Sequence, residues 1–131
     1  MFNMKKQPPI KSLIADGSLI QGNVSFSDGL RIDGQVVGNV RAKDDVASIL
    51  VISETASVQG EIIADHIIIN GSVKGPVTAR MLLELQPKAR IEGDVDYSAL
   101  EMHPGALITG QLRPILEGEE KPTLKLAANN Q

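Results

Sequence analysis

His66 and His103 are the only side chains in this 131-residue sequence whose ordinary pKa lies near neutrality. Asp65, next to the first of them, suggests a base held by an orienting carboxylate. That chemistry needs both groups on one side of the backbone, and neighbours on a strand point to opposite faces, so Asp65 is badly placed to orient His66. A shared metal ion fares no better. The two histidines are about 37 residues apart, which in the repeat described below means about two turns, or roughly 10 Å, too far for ligands at about 2.1 Å each. Both histidines are therefore expected to be surface residues, and no catalytic residue, cofactor or metal site is assigned. With no cysteine there is no thiol nucleophile, thiolate ligand or disulfide, as suits a reducing compartment. Neither GxxxxGK[ST] nor GxGxxG occurs, so a loop for nucleotide phosphates is missing. The acidic run Lys43-Asp44-Asp45 reads as a solvated turn.

A different chemistry is offered by the first six residues. Met1-Phe2-Asn3-Met4-Lys5-Lys6 places large apolar side chains beside two lysines. Burying Phe2 in lipid contributes roughly 1.5–3 kcal/mol, and each lysine near an anionic surface about 1 kcal/mol. One copy attaches weakly; many copies on a polymer would attach by avidity.

The elements that carry these residues are set by a repeat of the form aliphatic-x-Gly-x-aliphatic. It occurs at Ile20-Gln21-Gly22-Asn23-Val24, Ile32-Asp33-Gly34-Gln35-Val36, Val58-Gln59-Gly60-Glu61-Ile62, Ile69-Asn70-Gly71-Ser72-Val73, Ile91-Glu92-Gly93-Asp94-Val95 and Ile108-Thr109-Gly110-Gln111-Leu112. With Gly22, Gly38, Gly60, Gly75, Gly93 and Gly110 as one marker per unit, the period averages about 18 residues. Inside each unit apolar and polar residues alternate, the period of a half-buried strand, and Ile and Val favour a pleated surface. Turn-formers such as Asp16-Gly17, Ser27-Asp28-Gly29 and Pro104-Gly105 follow too closely to admit crossover helices. The expected fold is all-β, a parallel β-helix of about six rungs, each coil making three sides of a triangle. Aromatic residues are 2% of the chain, as a narrow aliphatic channel requires. The marker glycines are expected at corners, where φ is positive or the next rung passes close.

The organisation expected is a head over 1–11 carrying the candidate membrane segment, the β-helical domain over 12–114, and a tail over 115–131, both ends being disordered. Pro8 and Pro9 separate head from domain, and the run from Glu117 to Pro122 is charged and turn-rich. No amphipathic capping helix is visible at either end. Leu13, Ile14, Leu19 and Ile20 in the first rung, and Leu107, Ile108 and Leu112 in the last, would then be unfinished surfaces for self-association. Stacking of such ends does not close, so it makes a filament.

The repeated units, the opening stretch Ile10-Lys11-Ser12-Leu13-Ile14-Ala15-Asp16-Gly17-Ser18 and the head Met1-Phe2-x-x-Lys5-Lys6 together resemble the bactofilins, over roughly residues 10–115 plus the head. The resemblance implies a right-handed β-helix and a cytoskeletal protein whose filaments form without nucleotide and lack polarity. It also implies a membrane-targeting motif, matched here by Phe2, Lys5 and Lys6 with Met4 as a further apolar contact. The partners implied are copies of the chain itself, an anionic membrane surface, and cell-envelope or chromosome-organising client proteins. The location implied is the cytoplasm, at the inner face of the membrane.

Two alternatives belong to other classes. A hexapeptide-repeat acyltransferase also has coils of 18 residues, but there Gly directly follows the aliphatic residue, whereas here one residue intervenes. A monomeric solenoid adaptor would use a flat face to bind polysaccharide or protein. The net charge of −3 and the lack of a basic stripe with aromatics argue against nucleic-acid binding. No apolar run approaches the roughly 20 residues of a membrane span, and the first residues lack the apolar core of a secretory signal.

Overall fold

The computed structural model describes residues 7–116; the head residues Phe2, Met4, Lys5 and Lys6 and the tail from 117 onward lie outside the described residues. Within 7–116 every regular element is a strand, and every pairing is parallel. The first coil contains β1 (Ile10–Ile14), β2 (Leu19–Gln21) and β3 (Val24–Phe26), and the second β4 (Asp28–Ile32), β5 (Gln35–Val37) and β6 (Val40–Ala42). β7 (Ser48–Ile52) and β8 (Ser57–Gln59) open the third coil, which β9 (Ile62–Ile69) completes before running on into the fourth. β10 (Ser72–Lys74) follows, and β11 (Val77–Leu85) in turn joins the fourth coil to the fifth. β12 (Arg90–Glu92) and β13 (Val95–Tyr97) finish the fifth, and β14 (Leu100–Met102), β15 (Leu107–Thr109) and β16 (Leu112–Pro114) form the sixth.

Six coils thus stack as a β-helix with three faces. The first face is built from β1, β4, β7, the end of β9, the end of β11 and β14; the second stacks β2, β5, β8, β10, β12 and β15. The third stacks β3, β6, the start of β9, the start of β11, β13 and β16. First and third faces form one ten-stranded sheet because β9 and β11 continue around their shared corner.

Parallel in-register stacking turns the sequence alternation into ladders of like side chains. On the second face Ile20, Val36, Val58, Val73, Ile91 and Ile108 succeed one another. Leu30, Leu50, Ile67 and Leu83 do so on the first, and Val40, Ile62, Val77 and Val95 on the third. All of these except the terminal Ile20 and Ile108 are buried. The third face pinches at Ala42, Ala64 and Ala79, all buried, leaving room for Phe26 at one end of that column and Tyr97 at the other.

The expected glycine corners are present. Gly60 has φ +152°, and a Cβ there would stand 2.1 Å from the carbonyl oxygen of Gly38 in the coil before. Gly110 repeats this against Gly93, again at 2.1 Å with φ +149°. The opposite corner, between third and first faces, is held by side chains. Ser48 and Asp65 exchange hydrogen bonds: the Ser48 N–H donates to the Asp65 carboxylate, and the Asp65 N–H donates to the Ser48 hydroxyl. Arg80 ties this corner to the Lys43–Asp45 turn, with Nε 2.8 Å from Asp65 and Nη1 2.7 Å from Asp44. That turn is solvent-exposed, as its composition predicts, and Asp45 takes a left-handed φ of +66°.

Candidate functional site

The two ends of the prism differ from everything between them. Among the described residues β1, β2 and β3 each pair on one edge only, with the second coil, and β14, β15 and β16 pair only with the fifth. Strand edges in this state are templates for another chain.

The residues expected at these ends fall into two groups. Ile14, Ile20 and Ile108 pack partly buried against the core as the last members of inward ladders, and Leu112 ends the ladder that begins at Val24. Leu13, Leu19 and Leu107 point outward instead. Leu13 is in register with Arg31 and Ser12 with Leu30, as follows from Ile14 lying in register with Ile32; the register shift in β1 lies before them, between Ile10 and Ser12. Leu19 and Leu107 terminate one outward column whose intervening members are Gln35, Ser57, Ser72 and Arg90. That column is polar on all four inner coils and leucine only on the two outer ones, with exposures of 55% and 58%. Single exposed aliphatic side chains are ordinary on a solvated face, Val37 on the second coil among them; what sets Leu19 and Leu107 apart is that they stand at the two ends of one column. Each half-exposed leucine that is covered contributes about 1 kcal/mol.

The structure adds Val24 to the first end and Leu100 and Met102 to the last, the methionine being 45% exposed. Val24 closes the first aliphatic-x-Gly-x-aliphatic copy and could have been found from it. Leu100 and Met102 could not, since β14 follows no marker glycine.

The histidines separate as their spacing predicts, His66 on the fourth coil and His103 after β14 on the sixth. His103 is exposed at the surface, 3.5 Å from Glu84. His66 is not the surface residue expected: it is half-buried because residues before β1 cross over it. The Gln7 side-chain amide donates to Nδ1, which places the ring proton on Nε2, and Nε2 is buried without a partner among the described residues. This burial holds the His66 pKa below 6.5, while Glu84 and Glu101 pull the other way. A histidine whose folded pKa lies below its unfolded value supports folding above the unfolded value and withdraws that support as pH falls through the folded one. Thermal unfolding is therefore expected at lower temperature as the pH drops below about 6.5. A His66→Gln chain should lose this part of the pH dependence, and an unaltered profile would contradict the burial argument.

Glu84, Glu101 and His103 offer ligand atoms all within 4.8 Å of one another and are the group among the described residues that could hold a divalent cation. Spacing along the chain did not reveal them, because Glu84 and Glu101 meet only by stacking of the fifth and sixth coils. Asp65 is engaged by Ser48 and Arg80 and does not orient His66. Among the described residues no helix is long and apolar enough to cross a membrane.

Compared with known proteins, residues 12–113 match the family model for bactofilins, described as polymer-forming cytoskeletal. No match was found among curated proteins or among solved structures.

Proposed function

This chain belongs to the bactofilin family of polymer-forming cytoskeletal proteins, and from that premise we propose that it is a scaffold that stacks end to end into filaments through its first and sixth coils. The observation that carries the reading is the column from Leu19 to Leu107, apolar only where a neighbouring molecule would cover it. Stacking would pair the free edges of β1–β3 and β14–β16 and bury Leu13, Ile14, Leu19, Ile20, Val24, Leu107, Ile108 and Leu112. The contact needs no nucleotide, since apolar burial and backbone pairing drive it. Joining first coil to first coil and sixth to sixth would give the non-polar filament that family resemblance implies; joining first to sixth would give a polar one.

Negative-stain electron microscopy of the purified protein tests the reading. Threads one solenoid wide are expected, and compact single particles at high concentration would instead support a monomeric adaptor.

Membrane attachment at the inner face of the cytoplasmic membrane is the second part of the proposal, through Phe2, Met4, Lys5 and Lys6. On a filament these weak contacts add along its length, and such a surface would gather cell-envelope or chromosome-organising clients. Phe2→Glu with Lys5→Glu is expected to abolish co-sedimentation with anionic liposomes while leaving filaments intact. Undiminished lipid binding by that variant would remove the head from the account.

A further inference from the structure

The inward ladder nearest the corner between first and second faces runs Ile14, Ile32, Ile52, Ile69, Leu85 and Met102, each in register with the one before. Its four inner members are 0% exposed, and Ile14, at the first end, packs partly buried against the core. The ladder changes from branched aliphatic side chains to a thioether at one position, on the sixth coil. There Met102 is 45% exposed. It does not owe that exposure to pointing off the face, since it continues the line of the fully buried Leu85. It owes it to the open side of β14, on which no strand lies among the described residues.

Met81 gives a comparison within the same chain. It is exposed to nearly the same degree, 47%, but it lines the outer groove beside Leu82 and His66 and belongs to no open end. A further coil stacked on the sixth would cover Met102 and leave Met81 as it is.

Leucine and isoleucine side chains are inert to hydroperoxides, whereas a thioether is not. Its sulfur takes one oxygen atom from the hydroperoxide as the O–O bond breaks. The sulfur is oxidised by two electrons, and hydrogen peroxide leaves as water. The product, methionine sulfoxide, is polar. Sulfoxide reductases return it to the thioether with two electrons from a pair of thiols, which become a disulfide as the oxygen leaves as water.

We propose that Met102 is a reversible oxidation site that controls assembly at the sixth coil. As a thioether it joins the apolar contact with a neighbouring molecule; as a sulfoxide it carries an S=O dipole into that contact and loosens it. This inference rests on the end-to-end stacking proposed above. Burying a polar oxygen among aliphatic side chains without a hydrogen-bond donor is unfavourable, so the concentration needed for polymer should rise about tenfold or more. Uncovered sixth coils are the ones that react, so oxidation acts at free ends and covered joints are protected.

With no cysteine in the chain, hydrogen peroxide finds its sulfur targets in methionine alone, and peptide mass spectrometry reads each methionine separately. In the full-length protein, Met102 is expected to oxidise about fivefold more slowly when assembled than in a chain carrying Leu19→Lys with Leu107→Lys, which blocks stacking. Met81 should oxidise at the same rate in both. Peroxide should release pelletable polymer; Met102→Leu, a nearly volume-conserving change, should keep it through the same treatment, and Met81→Leu should not. Sulfoxide reductases with dithiothreitol should restore it. Polymer that persists with Met102 fully oxidised, or that Met102→Leu fails to protect, would overturn the switch and leave the stacking standing. Equal oxidation of Met102 in the assembled and double-lysine chains would overturn both, since the sixth coil would then lie outside the contact. A chain that forms no polymer before peroxide is added refutes the stacking directly and takes the switch with it.

Discussion

A chain carrying Leu19→Lys together with Leu107→Lys is expected to elute as a single folded particle under conditions where the unaltered chain is expected in the void volume. Both positions are outward and more than half exposed, and their column already holds Arg90, so a lysine at either one is tolerated in the isolated molecule. In a stacked pair the substitutions remove two leucines that would cover one another and set two lysines side by side in the outward column. The lost apolar burial, about 1 kcal/mol for each leucine, and the like-charge repulsion together weaken the contact by about two orders of magnitude. The single variants then report on polarity. If like ends meet, Leu19→Lys leaves the sixth-coil contact intact and stops at dimers, because each contact is isologous. If unlike ends meet, either substitution alone stops at monomers. Filaments of normal length from the double variant would mean that the chain polymerises through its faces, and the role assigned to the terminal coils would fall.

The second large effect is on stability. Gly60→Ala puts a methyl group 2.1 Å from the Gly38 carbonyl oxygen and 2.5 Å from its carbon, at a φ of +152°. Both atoms are backbone, so relief requires two coils to separate locally, with loss of ladder hydrogen bonds such as Gly38 N–H to the Gln59 carbonyl. Backbone strain and overpacking together cost roughly 4 kcal/mol, a large fraction of the 5–15 kcal/mol typical of a domain. The corresponding fall in Tm is more than about 10 °C. Gly22 is the internal control: φ is +137°, yet nothing lies within 4 Å of its added Cβ, because no coil precedes the first. Gly22→Ala should therefore cost only the backbone term, about 1–2 kcal/mol. Assembly would mask both values by mass action, so the comparison belongs in the Leu19→Lys, Leu107→Lys background, read by circular dichroism on heating. Equal losses at the two glycines would show that φ alone, and not the close approach of coils, demands glycine at these corners.

These two glycines also mark how far local pattern carries. Aliphatic-x-Gly-x-aliphatic at a period near 18 residues determines strands, corners and the number of coils, because alternation and positive φ are properties of a residue and its immediate neighbours. The inward ladders follow at once, since a parallel in-register stack places equivalent residues above one another, as Val36, Val58 and Val73 show. The chain pattern could also nominate the terminal coils, because the first and last units of any open stack lack a neighbour.

The sequence by itself thus determined an aliphatic β-helix of about six coils, whose first and last coils each have one unpaired side among the described residues. Only the tertiary structure decided the register at those ends, where Ser12 comes over Leu30, Leu13 over Arg31 and Ile14 over Ile32, and where a shift between Ile10 and Ser12 breaks the pattern at the start of β1. It likewise decided that His66 lies beneath Gln7, 59 residues away in the chain, and that Glu84 and Glu101 stand together on one face. Periodicity specifies each residue relative to its own strand. Contacts between coils, and across the outside of a face, depend on corner lengths and on where a non-repeating segment lies, and neither is a local property of the chain.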